Sequence, residues 1–309
     1  MNIIGIDIGG TKCALSVPEG PDRVREVVRF NTVDVAGTLD RIFAEVRKLA
    51  PGPDVVFGVS CGGPLDAKRG LILSPPNLPG WDRIAIVEEL TRRFGGRAFL
   101  MNDANACALA EWQFGAGRGC QSMIFLTMGT GMGAGLILDG RLYEGISGNA
   151  GEVGHMRLAP DGPVGFGKRG SFEGFCSGGG IAQIARLRVP MFGGQSILQG
   201  LPPEGLTARS LGDAAAAGDA LAMSIWGEVG EKLGEALAIF IDVINPERIV
   251  IGSIYQRCER FIAPALYSVI RREALPDSAR DCQVCPAELG DELGSCAAVA
   301  IARYHAGTS

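Results

Sequence analysis

The chain has 309 residues, of which 47% are hydrophobic and 20% charged, with 46 glycines and a formal net charge of −5. That length allows roughly two domains, and the composition of an ordinary globular protein excludes a disordered chain. The acidic balance lacks the basic footprint needed for non-specific nucleic-acid binding, and no apolar run is long and unbroken enough to span a bilayer.

Residues 2–8 form a short apolar run ending in Asp7-Ile8-Gly9-Gly10-Thr11-Lys12, and residues 13–17 resume strand-like composition. The spacing predicts a hairpin with a glycine turn, and a third strand over 24–30 completes a meander. Apolar residues at helical intervals (Leu39, Ile42, Phe43, Val46, Leu49) predict an amphipathic helix over 38–50, followed by a buried strand over 55–60. Three prolines and a glycine make 74–81 a loop, and a helix over 86–94 closes at Gly95. A strand over 98–101 then feeds Asn102-Asp103, and 104–114 is helical.

From Ser122 the opening pattern recurs: strand 123–127, glycine turn 129–133, strand 134–138, turn 139–140. The chain therefore reads as two lobes on one plan. No low-complexity linker separates them, so they are expected to be closely joined. Residues 160–170 read as loop, 174–188 as helix, 190–203 as a glycine- and proline-rich connection, and 221–243 as the longest helix. A strand over 248–251 and helices near 259–272 and 292–304 finish the pattern.

The two glycine turns, Asp7 to Lys12 and Thr127 to Gly133, can cradle phosphate oxygens on backbone N–H groups, because glycine admits a ligand where a Cβ would block it. Asp7 adds a carboxylate suited to Mg2+ through its waters. Taken alone, each is also a plain β-turn. No Walker sequence occurs, and the loose dinucleotide-like spacing at Gly129-Thr130-Gly131 is followed by a strand where a Rossmann site needs a helix. Asn102-Asp103, at a strand end and helix start, can place a carboxylate in a cleft to accept the proton of an attacking hydroxyl; the same pair also suits a helix N-cap. Gly151-Glu152-Val153-Gly154-His155 sets a carboxylate and an imidazole three apart, an acceptor and donor pair suited to vicinal sugar hydroxyls, although the histidine could equally be incidental. Glu173 is a further candidate acceptor, and the stiff loop Asn77-Leu78-Pro79-Gly80-Trp81 could close over a sugar. Nine cysteines, an odd and scattered set, suit a reducing compartment rather than a disulfide framework, and a cytoplasmic protein is expected. Cys282 and Cys285 form a C-x-x-C with no second pair nearby, a weak zinc signal.

In this order the motifs resemble the ROK family of sugar kinases and related repressors over essentially the whole chain, including its glucokinase-like and N-acetylhexosamine kinase-like members. The resemblance rests on Asp7 to Lys12, the segments 58–66 and Asn77 to Trp81, Asn102-Asp103, Thr127 to Gly133, Gly151 to His155, and Arg248 to Gly252. It implies an α/β, two-lobed actin-like or hexokinase (ribonuclease H-like) fold with a cleft between the lobes. The smaller lobe would be 1–115, completed by a C-terminal helix at about 292–309, and the larger 116–291. It implies phosphoryl transfer from ATP, with Mg2+, to a hexose or hexose derivative at its 6-hydroxyl. By the same resemblance Asp103 is the general base, and Gly62, Asn77, Asn102, Glu152, His155 and Glu173 hold the sugar. Asp7, Gly9, Gly10, Thr11, Lys12, Thr127, Gly129, Thr130, Gly131 and Gly133 hold the nucleotide phosphates, Gly252 lies near the adenosine, and a homodimer is the default assembly.

Two departures from the family pattern carry consequences. Many members hold zinc with three cysteines and the histidine of the preceding loop; here 164–173 keeps the glycines and Glu173 but none of the thiols, so no structural zinc is expected, with apolar packing of Val164 and Phe166 holding the loop instead. The glycine-rich adenosine turn is thinned, since Ser253-Ile254 follows Gly252, and the β-branched residue is expected to crowd the nucleotide. Repressors of the family carry a DNA-binding module ahead of the first phosphate motif, for which a strand starting at residue 2 leaves no room, so no nucleic-acid partner is expected. The alternatives are a sugar-binding regulator that no longer transfers phosphate, and an ATPase-driven chaperone or filament protein, which would share the phosphate turns but not the Asn102-Asp103 and Glu152/His155 groups.

Overall fold

The computed structural model describes residues 2–307. Two five-stranded sheets share one plan. The first runs in the order Val24–Asn31, Lys12–Pro18, Ile3–Ile8, Val56–Cys61, Arg97–Asn102, and the second Arg141–Leu142, Met132–Leu138, Met123–Met128, Arg248–Ile251, Gln283–Pro286. In each, an antiparallel meander supplies three strands and two parallel strands follow through helical crossovers. The strand Ile3–Ile8 is nearly all buried because helices cover both faces of its sheet, the C-terminal one on one side and Ile42, Phe43 and Val46 of another on the opposite side, which is why it reads as a continuous apolar run.

Helix ends follow local chemistry. Asp34 caps the helix Val35–Lys48, its Oδ1 accepting the Gly37 N–H at 2.9 Å, and Arg47 and Lys48 occupy the negative end. The longest helix, Ala220–Ile244, starts at Asp219, whose Oδ1 accepts from Ala222 N at 2.9 Å, and stops where Asn245 turns left-handed ahead of Pro246.

Two helices pack between the sheets. The C-terminal helix Leu293–Gly307 lies on the first sheet so closely that a Cβ at Gly58 would stand 2.1 Å from the Ala298 carbonyl oxygen. The helix Asp103–Phe114 lies on the second sheet, where a Cβ at Gly135 would stand 2.4 Å from the Ala108 Cβ. Glycine at these strand positions sets the interlayer distance. The chain passes from the first sheet to the second through 103–122 and returns through 287–292. Both crossings meet the fully buried Glu111, whose carboxylate accepts N–H groups from Ala116 at 2.8 Å, Glu288 at 3.1 Å and Leu289 at 3.0 Å.

Several elements differ from the sequence reading. The segment expected as one helix over 174–188 is two, Phe172–Cys176 and Gly178–Arg188, because Ser177 spends its hydroxyl capping the second through Gly180 N. The helix expected from 259 begins at Ile254, where Ser253 and Gln256 form a capping box. The strands Leu65–Asp66, Leu71–Leu73 and Asp82–Ile84 make a small sheet, Ala208–Ala216 is helical, and Gln283–Pro286 completes the second sheet. The 160–170 loop carries the hairpin Val164–Gly165 with Lys168–Arg169.

Apolar packing does not hold that hairpin, since Phe166 at its tip is 80% exposed. Polar ties do: Val164 N donates to Gln183 Oε1 at 3.0 Å, Gln183 Nε2 donates back to Val164 O at 2.8 Å, and Arg157 donates to Arg169 O at 2.7 Å. Ile254 is buried in the core of the second lobe with Tyr255 and Trp226, and its Cδ1 lies 3.4 Å from where a Cβ of Gly178 would stand, Gly178 N in turn donating to Gly129 O at 2.8 Å.

Candidate active site at the sheet edge

Strand register gathers the site. In the first sheet Ile8 pairs with Cys61 and Cys61 with Asn102, so the residues immediately after them, Gly9, Gly62 and Asp103, emerge in one row at the carboxyl ends of three parallel strands. That is where open α/β sheets bind ligands. A Cβ at Gly62 would lie 3.8 Å from Asn77 Oδ1 and 4.0 Å from Asp103 Oδ2, and one at Gly10 only 2.4 Å from the Asn77 carbonyl oxygen. The loop carrying Asn77 is pinned by Trp81 and Leu78, both buried, and by the Ser74 N–H donating to Trp81 O at 2.9 Å. Asn77 itself is exposed toward the cleft.

Asp103 is the first residue of its helix, and its Oδ1 accepts the next N–H, of Ala104, at 2.9 Å. It is open to the cleft on one side and ringed by protein on the others, and burial raises its pKa above the ordinary carboxylate value. Asp7, one residue before the end of its strand, is pushed up to about 6, chiefly by burial, with the Asp103 charge adding to the rise and Arg29 and the Ser60 hydroxyl opposing it. Two carboxylates thus share one crevice, and the Asp103 charge disfavours that of Asp7. The thiol beneath them, Cys61, is pushed up to about 12 by burial and stays neutral.

The first glycine turn closes with Gly9 N donating to Lys12 O at 3.0 Å, and the Thr32 hydroxyl donates to Gly9 O at 2.6 Å. Thr11 and Lys12 are exposed at its tip. In the second sheet the matching turn closes with Gly129 N donating to Gly131 O at 3.1 Å. Gly133 faces Thr127 and Ala104, so this turn reaches the start of the Asp103 helix, while Thr130 is exposed. Gly252 is buried at the neighbouring strand end, its N–H donating to Leu126 O at 2.9 Å, and a Cβ at Gly129 would lie 3.8 Å from Ser253 Oγ. The second turn leaves Gly129 open, with nothing nearer than 3.7 Å to a Cβ there, whereas in the first turn Gly9 and Gly10 are packed against the Lys12 and Asn77 carbonyls.

The sugar-side candidates divide. Asn102 caps the helix, its Oδ1 accepting Asn105 N at 2.8 Å, which leaves its amide N–H groups and one oxygen lone pair for a ligand. Asn102 and Glu152 line one cavity of about 890 Å³. Glu173 spends one oxygen on Met132 N at 3.1 Å, bracing the second turn. Gly154 lies against the Met132 carbonyl, which brings the loop of Glu152 and His155 beside that turn. The exposed His155 imidazole stands edge-on to Phe166, ring centroids 5.1 Å apart. His155 and Glu173 lie outside the wall of the 890 Å³ cavity.

Sequence reasoning missed Ser60 and Arg29, which tune Asp7, and Asn105 in the cavity wall. Ser60 faces Asp7 through strand register, and Asn105 follows Asn102 by one helical turn, so both were open to a reading by register and period; Arg29 reaches Asp7 only through tertiary structure. Among the described residues no three His, Cys, Asp or Glu side chains converge as metal ligands, and no helix is long and apolar enough to cross a membrane.

Known proteins share this sequence pattern and fold. A sequence model described as the ROK family matches residues 3–305. A glucokinase of Thermotoga maritima is 31% identical over 314 residues, covering 99% of each chain. The crystal structure of a ROK family glucokinase from Streptomyces griseus in complex with glucose and AMPPNP superposes with a TM-score of 0.75 at 29% identity, covering 97% of this chain and 99% of that one. The DNA-binding transcriptional dual regulator NagC of Escherichia coli is 30% identical over 273 residues, 87% of this chain and 64% of the regulator. The fold is the two-lobed hexokinase-like fold of ROK sugar kinases, and the chain belongs to the ROK family.

Proposed function

We propose that the protein transfers the γ-phosphoryl group of ATP to a hexose, at its 6-hydroxyl, with Asp103 accepting the proton of the attacking oxygen. The observation that carries this reading is the single row formed by Gly9, Gly62 and Asp103 at the carboxyl edge of the first sheet, with Asp7 beside it. A phosphate nest, a polyol-facing loop and a proton acceptor thereby meet in one crevice. The glucokinase relatives, and glucose with a nucleotide analogue bound to the Streptomyces griseus enzyme, support it.

Each side chain has a part in the transfer. The glycine turns offer backbone N–H groups to the phosphates, which costs no reorganisation as charge moves during transfer. Asn77 and the Asn102 amide orient the sugar, and Glu152 and His155 bind its hydroxyls from the facing loop. The raised pKa of Asp103 makes its carboxylate a better proton acceptor than one in water. Mg2+ fits the donor chemistry: Asp7 is a hard oxygen donor whose ionised form is held back by burial, and a cation at its edge would offset that cost. Asp7 would hold the ion, which would supply charge neutralisation for the transferred phosphoryl group. All nine cysteines are unpaired, in keeping with work in the reducing cytoplasm where ATP is available.

Replacing Asp103 by Asn tests the assignment: turnover with Mg-ATP and the preferred hexose falls by about two to four powers of ten, while hexose affinity measured by calorimetry stays within a few fold. Near-normal turnover would remove Asp103 from the mechanism. The similarity to NagC favours one second reading, a sugar-binding regulator without phosphoryl transfer. ADP release over a panel of hexoses separates the two.

A further inference from the structure

The second glycine turn is held at both ends by one short segment of chain. Glu173 is the second residue of the helix Phe172–Cys176, and its Oε2 accepts Met132 N at 3.1 Å where the turn leads into its outgoing strand. Farther along the same segment, Gly178 N donates to Gly129 O at 2.8 Å, and Gly129 N closes the turn by donating to Gly131 O at 3.1 Å. A Cβ at Gly131 would stand 3.0 Å from Glu173 Oε2, so the carboxylate lies directly against the turn.

The base of the Glu173 side chain has no room to move. A Cβ at Gly165 would stand 2.7 Å from its Cβ, one at Gly154 3.3 Å from the same atom, and one at Gly180 3.0 Å from its carbonyl oxygen. That oxygen also accepts Ser177 N at 3.0 Å. Close packing of this kind leaves rotation of the carboxylate as the remaining freedom. Gly154 belongs to the loop of Glu152 and His155, and it lies equally against the Met132 carbonyl. The loop read as holding the hexose and the turn read as holding phosphates therefore meet at one side chain.

A carboxylate offers two acceptor oxygens. Oε2 is spent on the turn, whereas Oε1 has no hydrogen-bond partner among the described residues, and the side chain is only half-buried. A hydroxyl that donates to Oε1 stops the carboxylate from rotating and so steadies Oε2 on Met132 N. The entropy of ordering this group is then lost once for two ligands, which makes their binding cooperative.

We propose that Glu173 is a positioning residue that couples the two substrate sites: a hexose hydroxyl on Oε1 firms the second glycine turn, so the hexose raises nucleotide affinity. By linkage the nucleotide raises hexose affinity by the same factor. This rests on the kinase reading and adds a dependence of one site on the other.

Glu173→Gln tests the coupling, because glutamine keeps the shape but has a single acceptor oxygen and can serve the turn or the hydroxyl, not both. Calorimetry measures AMPPNP with Mg2+ binding alone and with saturating hexose, and the hexose alone and with saturating AMPPNP. The hexose is the fastest acceptor among glucose, mannose and galactose, or glucose if none is phosphorylated. In the wild type each ligand is expected to tighten the other by about tenfold. In Glu173→Gln the factor is expected to fall below about twofold, with each ligand alone binding within about fivefold of the wild type. Gln183→Ala, whose lost bonds go to Val164 and Gly179, loosens the neighbouring hairpin and is expected to keep the tenfold factor. A wild-type factor below about twofold overturns the inference, as does a Glu173→Gln factor equal to the wild type, which would assign the coupling to lobe closure alone. Loss of the factor in Gln183→Ala as complete as in Glu173→Gln would make the role structural and overturn it too. ADP release is read separately: coupling without transfer to any hexose refutes the kinase reading and leaves this inference standing, and transfer without coupling does the reverse.

Discussion

Replacing Asp7 by Asn is expected to stabilise the metal-free protein while destroying its activity. Burial moves the Asp7 carboxyl from its ordinary 3.8 to about 6, a gap worth about 3 kcal/mol between the two protonation states at about 1.4 kcal/mol per tenfold. Partial exposure in the cleft reduces the expected effect to about 2 kcal/mol. The direction follows from proton binding: between pH 4 and 6 the folded chain holds a proton at Asp7 that the unfolded chain has released. The stability contributed by that proton is fully present below about pH 4 and is lost as pH rises through about 6. Asparagine keeps the shape without the ionisation. Urea unfolding in the presence of a chelator should therefore find the variant and the wild type alike near pH 4, apart from a constant offset, with the variant gaining about 2 kcal/mol by pH 8. A stability difference that does not change between these pH values, or one that favours the wild type more at pH 8, would refute the reasoning.

Two further changes probe the frame that positions the site. Glu111→Ala strands three backbone N–H donors at the two inter-lobe crossings and should cost about 3–6 kcal/mol at about 1–2 kcal/mol each; chemical denaturation checks this, and a loss below about 1 kcal/mol would remove Glu111 from that role. Gly58→Ala drives a methyl group to 2.1 Å from the Ala298 carbonyl and should destabilise by at least about 1–3 kcal/mol through displacement of the C-terminal helix. Calorimetric melting of the two proteins would show it, and unchanged melting would mean the helix yields without strain.

The site was legible in the sequence to the extent that its chemistry is local. Glycine turns, a strand-end Asn102-Asp103 and the Glu152/His155 loop announce themselves by residue type and spacing, and the repeated strand-turn-strand pattern announces two matching sheets. Contacts made by partners far apart in the chain were not legible. Gln283–Pro286 is a strand only because Arg248–Ile251 offers it an edge, and its proline and short length hide it. Phe166 looked like a packing residue by composition, yet the hairpin that carries it is tied by Gln183 and Arg157 and leaves the ring outside. Which way Ile254 faces was not legible either, because sequence alone does not show the direction of a helix-starting residue.

Glu111 also bears on how the two halves can move. Both passages of the chain between the lobes are tethered to one carboxylate deep inside the molecule. The helices Asp103–Phe114 and Leu293–Gly307 join the halves at the same level, Gln113 Nε2 donating to Ala300 O at 3.1 Å, so a turn of one half on the other about this region would be magnified with distance from it. It would be widest at the mouth of the crevice, where the Lys68 ammonium reaches across to Ile146.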